Sequence, residues 1–387
     1  MSDVIVGATL ANKPFNGGNA WTRLNWVLGL RRLGLEAHLI DQIDASSCVD
    51  ASCRPTQPRD SVNVSYFADV MERFGLQKHA HLVCSDGTTL YGSEFARLEK
   101  LASAADLLIN ISGHLQLPAL KNAPRVKLFF DDDPGYTQFW HANEQLGERL
   151  AGYDYYFTLG TNIGTERTVI PSSGIDWRPM RVPIALEHWP LVEPESFRSF
   201  TTVGSWRGPY GVVVFGGKTY GQKVHEFRKF IEMPGKTGLP FEMVLNIDPA
   251  DAKDRQALEQ AGWRLLSPSA VATPDQYREF VQHSSAEFSV AQSIYVQTNS
   301  GWFSDRTVAY LASGKPALVQ DTGFTDNLPT GEGLLTFSNT DQAVAGAHEI
   351  AANYDRHCRA ARAIAEEYFD SDKLLRNLLG VISATHE

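Results

Sequence analysis

Cysteine is scarce in this chain. Four stand in 387 residues (Cys48, Cys53, Cys84 and Cys358), with no C-x-x-C pair and no zinc-ligand spacing. That excludes a disulfide framework and points to reduced thiols in a cytoplasmic protein. Long apolar runs are missing as well: none approaches the ~18 residues of a membrane-spanning helix, so no membrane span is expected. The start, Ser2-Asp3-Val4-Ile5-Val6, lacks the basic segment of a secretory signal and runs straight into a strand-like stretch. Positive charge is in deficit. The 35 Lys and Arg against 45 Asp and Glu leave a formal charge of −10, which argues against phosphate-driven DNA binding. There is no low-complexity segment and no short repeat. At 43% hydrophobic residues the composition excludes disorder, and the length suggests two or three domains.

What is present is alternation. Short apolar runs alternate with longer helical stretches, the pattern of a parallel α/β sheet. In the first half the expected strands are Val4–Ala8, Glu36–Ile40, Asp106–Ile111, Val126–Phe130 and Tyr153–Leu159, with a helix over Asn19–Leu33. Between residues 168 and 200 stand Pro171, Pro179, Pro183, Pro190 and Pro194, a run no helix tolerates, which marks a boundary. The alternation then restarts with Phe200–Val203, Phe241–Ile247, Trp263–Leu265, Ala286–Val290 and Ala317–Gln320 as strands and Lys223–Ile231 and Pro274–His283 as helices. Thr340–Leu379 reads as two or three further helices. Two Rossmann-like halves facing across a cleft follow, spanning residues 1–185 and 186–370, with 371–387 as a terminal helix.

Ligands of open α/β sheets bind beyond the carboxyl ends of the strands. Polar clusters follow several strand ends here: Asn16-Gly17-Gly18-Asn19, Ser112-Gly113-His114, Asp131-Asp132-Asp133, Gly204-Ser205-Trp206-Arg207 and Asp321-Thr322-Gly323. The segment Thr298-Asn299-Ser300-Gly301-Trp302-Phe303-Ser304-Asp305 has the small polar residues and glycine that open a helix. Free N–H groups and the helix dipole there attract an anion, and Gly301 would let a phosphate approach the backbone. An ordinary capped helix over a buried Trp302 is the alternative.

Asn299-Ser300-Gly301-Trp302-Phe303-Ser304 resembles the donor-binding signature of nucleotide-sugar glycosyltransferases of the GT-B fold. Gly314-Lys315-Pro316 is similar to the ending of the same element in that family, and Gly204-Ser205-Trp206-Arg207 to the loop that opens its C-terminal domain. The resemblance implies an acceptor domain in residues 1–185, a donor domain in 186–370, and a terminal helix packed back on the first domain. It implies sugar transfer from a nucleotide-diphosphate sugar, UDP-linked, to an acceptor hydroxyl or amine. No cofactor beyond that co-substrate and no metal are expected. The acceptor stays open among small molecule, glycan, protein and nucleic acid. Asn299 stands where plant-type members carry a phosphate-binding histidine, and Asp305 is a substitute ribose ligand or a partner for Arg306. The Glu-x7-Glu pair of the retaining branch is missing, which favours inversion.

On the same footing, Arg207 and Lys223 are expected to neutralise the departing diphosphate. Gln320 and Asp321 are candidates for sugar hydroxyls, Asp321 being otherwise a turn former before Gly323. Gly17 and Gly18 open the first helix beneath the cleft. The loop they belong to lacks the family's catalytic histidine, so the base is sought at Asp131, Asp133 or His114: adjacent carboxylates raise one another's pKa, and imidazole titrates near neutrality. Asp131-x-Asp133 also matches the weak metal-binding D-x-D of the single-domain GT-A glycosyltransferases. A sugar-nucleotide epimerase or hydrolase, or a non-catalytic binder of the same donor, uses the same cleft.

Overall fold

The computed structural model describes residues 2–192 and 196–384. Pro194, in the proline-rich boundary, and the last three residues of the expected terminal helix lie outside them. Among the described residues sixteen strands form, β1 (Asp3–Gly7), β2 (Glu36–Ile43), β3 (Ala80–Cys84), β4 (Thr89–Tyr91), β5 (Leu107–Ile111), β6 (Val126–Asp131), β7 (Tyr155–Thr158), β8 (Trp177–Pro179), β9 (Phe200–Ser205), β10 (Val213–Phe215), β11 (Lys218–Tyr220), β12 (Phe241–Asn246), β13 (Trp263–Leu266), β14 (Ala286–Ser289), β15 (Ala317–Gln320) and β16 (Leu334–Phe337).

They build two separate main sheets. The first has the order β4-β3-β2-β1-β5-β6-β7-β8 and the second β13-β12-β9-β14-β15-β16, with β10 and β11 as a hairpin of their own. All pairs are parallel except β3 with β4 and β10 with β11. Central strands such as β5 are buried along their whole length because helices cover both faces. The order reverses at β1, which pairs with β2 and β5, and at β9, which pairs with β12 and β14. These are the switch points at which loops diverge and leave a crevice.

Two helix packings are among the contacts that join the halves. The helix Gly17–Arg32 lies against Pro274–His283 of the second half because Gly17 and Gly18 carry no side chain. A β-carbon on Gly17 would stand 2.2 Å from the Thr273 carbonyl oxygen, and one on Gly18 would stand 2.9 Å from the Tyr277 ring. The carbonyl of Pro274 accepts from the Trp21 indole at 2.7 Å. The chain then returns. The terminal helix Ser371–Ala384 packs on Gly17–Arg32, with Ser371 and Leu375 against Gly29, and Arg32 pairs with Asp372 at 3.1 Å.

Candidate functional site

Loops after β1, β6 and β9 and the start of the helix Asp305–Ala312 meet between the sheets. They enclose two cavities of about 450 and 290 Å3 that share Lys13, Asn16, Asn19, Asp305 and Arg306. The larger lies between the loop after β1 and the second-half residues Gly204, Ser205, Asn246 and Pro268. The smaller reaches Arg23, Asp132, Asp133, Gln292, Tyr295 and Trp302. The loop after β1 is fixed from below. Buried Asp41 accepts the amides of Leu10 and Ala11 at 2.7 Å each. Asn16 caps the following helix by accepting from the Asn19 amide at 3.0 Å.

The three adjacent aspartates have three different surroundings. Asp131 is fully buried and accepts from the hydroxyls of Thr137 and Thr158, the Gln138 amide and the Asp133 backbone N–H, at 2.6, 2.7, 2.8 and 3.2 Å. Burial lifts its pKa to about 6, but it serves its own loop and does not line the cleft. The expectation of a base or metal ligand at Asp131 is corrected on that ground. Asp132 lines the cavity, pairs with Arg23 at 2.8 Å and accepts from Ser112. Burial works to raise its pKa, yet the Arg23 charge, the Ser112 hydrogen bond and His114 together outweigh it, and the group stays below the usual carboxylate range. Asp133 also lines the cavity and accepts from the Tyr210 and Tyr295 hydroxyls at 2.8 and 3.3 Å. Burial, and next the neighbouring Asp132 charge, push its pKa up to about 7. His114 is desolvated, which lowers its pKa far from neutrality and leaves a weak base.

Lys13 and Arg306 line both cavities, and Lys223 lies behind the wall of the larger one. Burial, then the nearby Arg23, lower the Lys13 pKa. Lys223 approaches from the far side: its ammonium lies 2.6 Å from where a β-carbon on Gly204 would stand, and Gly204 is part of the wall. Burial, then the Arg306 charge, bring its pKa down to about 7. Arg306 is held in place by Glu287 at 2.6 Å, the Val203 carbonyl at 2.9 Å and Ser289 at 2.7 Å. The Asp305–Arg306 pairing considered from sequence does not form; Asp305 instead accepts from Thr22 at 2.6 Å.

The segment before this helix differs from expectation. The helix starts at Asp305, five residues after Ser300, with Ser304 as its N-cap. Ser300 is fully buried and its hydroxyl accepts from the Trp302 amide at 3.2 Å. The Gly301 amide is already bound to the Thr322 carbonyl at 2.7 Å, so it is not free for a phosphate. Gly301 is required for packing: its φ is +76°, and a β-carbon there would meet the Thr161 hydroxyl at 2.2 Å. Gly301→Ala should therefore lower stability by about 1–3 kcal/mol, read as a fall in Tm. A glycine needed for phosphate approach alone would leave Tm unchanged and weaken only donor binding. Trp302 stacks on Tyr295 with ring centroids 4.4 Å apart and forms part of the cavity wall.

Four other expected ligands are engaged elsewhere. Arg207 pairs with Asp251 through Nε and Nη2. Asn299 is exposed and donates to the Arg167 carbonyl at 2.9 Å. Gln320 is buried, donating to Glu226 at 2.9 Å and accepting from the Ala291 amide at 3.2 Å. Asp321 accepts from the Gly323 amide at 2.8 Å, the turn-forming role. Gly17 is buried at the contact between the halves, while Gly18 lines the larger cavity.

Sequence reasoning missed Lys13, Arg23, Tyr210, Tyr295 and Arg306. One of them left a signal. Glu287 lies inside the fully buried strand Ala286–Ser289, and a buried carboxylate demands a buried cation, here Arg306.

No protein-family model matches this chain, and no curated protein matches it. Among solved structures, the chain is similar over its whole length to an alpha-glucosyltransferase in complex with UDP and a 13-mer DNA containing a HMU base. That pair has a TM-score of 0.63 at 12% identity and covers 99% of this chain and 100% of that one. It is also similar to HepE from Anabaena in complex with UDP-glucose (TM-score 0.62, 11% identity, 99% and 100% covered). A third is sucrose-phosphate synthase from Thermosynechococcus elongatus (TM-score 0.56, 11% identity, 100% and 99% covered). The chain has the GT-B fold.

Proposed function

We propose that this protein is a glycosyltransferase that moves a sugar from a nucleotide-diphosphate sugar, UDP-linked by preference, to an acceptor hydroxyl or amine. The observation that carries the reading is the meeting of Lys13 and Arg306 at the first turn of the helix Asp305–Ala312, with Lys223 behind the Gly204 wall beside them, in the cleft of a GT-B fold. Cations and free N–H groups at one point suit a diphosphate that gains negative charge as it leaves. The neighbours support the donor class, since the alpha-glucosyltransferase is in complex with UDP and HepE with UDP-glucose.

In this reading the second half holds the donor together with the loop after β1, and the rest of the first half faces the acceptor. Asp133, with a pKa near 7, takes the acceptor proton. Tyr210 and Tyr295 orient its carboxylate, and Asp132 with Arg23 fixes the loop beside it. A base on the acceptor side favours inversion. Retention is the competing stereochemistry, favoured by the alpha-glucosyltransferase among the neighbours, because UDP-glucose is itself α-linked. The anomeric configuration of the product, read by NMR, separates the two. Three protein cations facing the diphosphate support transfer without an essential metal, so turnover should persist in a chelator. One neighbour is in complex with DNA; the net acidity of this chain favours a small molecule, glycan or protein as acceptor instead.

The test is release of nucleoside diphosphate from a panel of nucleotide sugars with and without acceptors. Acceptor-dependent release supports the transferase. Release without acceptor identifies an epimerase or hydrolase, and binding without turnover a non-catalytic sugar-nucleotide protein.

A further inference from the structure

We propose that Phe15 is the stacking face for the donor nucleobase, an inference that rests on the nucleotide-sugar reading above. Phe15 is out of place for a bulky residue in two ways. Its φ is +60°, in the left-handed region that suits glycine, and its side chain is 54% exposed. Core burial therefore does not explain why an aromatic stands here. Strained positions of this kind persist where the surroundings hold them, and they concentrate at ligand sites.

The surroundings do hold it. The Phe15 ring meets Tyr66 edge-on, with centroids 5.6 Å apart. Tyr66 in turn donates its hydroxyl to the Ala272 carbonyl of the second half at 3.1 Å. The ring is braced and remains half exposed at the larger cavity, which it lines. That cavity also has an apolar wall of Val244, Pro268 and Val271. Asn246, exposed in the same wall, carries a side-chain amide with both donor and acceptor groups, suited to the polar edge of a base. A flat heterocycle fits this combination of an aromatic face, an apolar wall and an amide. The diphosphate that follows it would reach Lys13, two residues from Phe15 on the same loop.

The experiment compares UDP, UMP and inorganic pyrophosphate by calorimetry on the full chain and on Phe15→Gly, without acceptor, together with Tm. Glycine relieves the backbone strain, so Tm should stay level or rise. Kd for UDP and UMP should rise roughly 5- to 150-fold, the loss stacked bases show on removal of an aromatic. Kd for pyrophosphate should not change, and Phe15→Trp should bind UDP as the native chain does. Unchanged UDP affinity in Phe15→Gly overturns the proposal. So does a parallel loss of pyrophosphate affinity, which would show that the loop and not the ring was needed. If the native chain binds pyrophosphate but no nucleotide, the nucleotide-sugar reading fails, and this inference with it.

Discussion

Asp133→Asn should turn over a nucleotide sugar 10²- to 10⁴-fold more slowly than the native chain while binding the donor equally well, the range expected when a general base is removed. The asparagine keeps the size of the side chain, an oxygen to accept from one of the Tyr210 and Tyr295 hydroxyls and an amide N–H to donate to the other, so the fold should survive. The pH profile carries a second readout. Burial first, and the Asp132 charge next, raise the Asp133 pKa to about 7. Below that pH the carboxyl is protonated and inactive as a base; above it the carboxylate accepts the proton. Native kcat, read at saturating donor where the diphosphate keeps Lys223 charged, should therefore climb with pH through about 7, and the climb should vanish in Asp133→Asn. The same shift acts on stability with a fixed sign. A carboxyl with a raised folded pKa is most favourable to the fold below about 3.8, and its contribution falls as pH rises through 7. A native-like rate in Asp133→Asn would remove it from the chemistry and move the search to Asp132, whose carboxylate is ion-paired with Arg23.

Lys223→Ala should lower kcat about 30- to 1,000-fold, or about 2–4 kcal/mol of barrier, with a smaller effect on donor Kd. Charge on the leaving diphosphate builds toward the transition state, so a cation that meets it acts mainly on turnover. Lys223→Arg should recover part of the loss, because the charge is kept and the geometry is not. Burial leaves the Lys223 ammonium with a pKa of about 7 in the ligand-free cleft, well below its ordinary 10.5. An arriving diphosphate favours the charged form, so donor binding between pH 7 and 10 should take up a proton. Calorimetry in buffers of different ionisation enthalpy measures that uptake, and Lys223→Ala should reduce it. Wild-type kinetics in Lys223→Ala would leave the diphosphate to Lys13, Arg306 and the helix amides.

Periodicity revealed the long regular pieces. The strands β1 and β5 beside the first switch point are largely apolar runs, and Pro274–His283 has its Thr273 cap and N-terminal proline in plain view. Short or irregular pieces carried no such pattern. β3 contains a histidine, β8 ends in proline, and β10 and β11 are three-residue strands around Gly216-Gly217. The site divided along the same line. Asp133, Lys223 and Asp305 follow strand ends or open helices, and local order places them at the cleft. Arg207, Gln320 and Asn299 stand at equally suggestive positions in the sequence, but Asp251, Glu226 and the Arg167 carbonyl claim them, and those partners lie 44, 94 and 132 residues away. Gly301 misled for a related reason: its partners, Thr161 and Thr322, belong to other loops, so a glycine needed for packing looked like one needed for phosphate.

The central claim is that Lys13, Lys223 and Arg306 hold the diphosphate of a nucleotide sugar between the two sheets. Thermal shift on the native chain and on the Lys13→Ala/Lys223→Ala double variant, with UDP-glucose and other nucleotide sugars at saturating concentration, tests it most directly. A ligand at one hundred times its Kd stabilises a fold by about 2.7 kcal/mol, a rise of several degrees in Tm. That rise is expected for at least one nucleotide sugar in the native chain, and its loss in the double variant. No rise with any nucleotide sugar, or the same rise in both proteins, would contradict it.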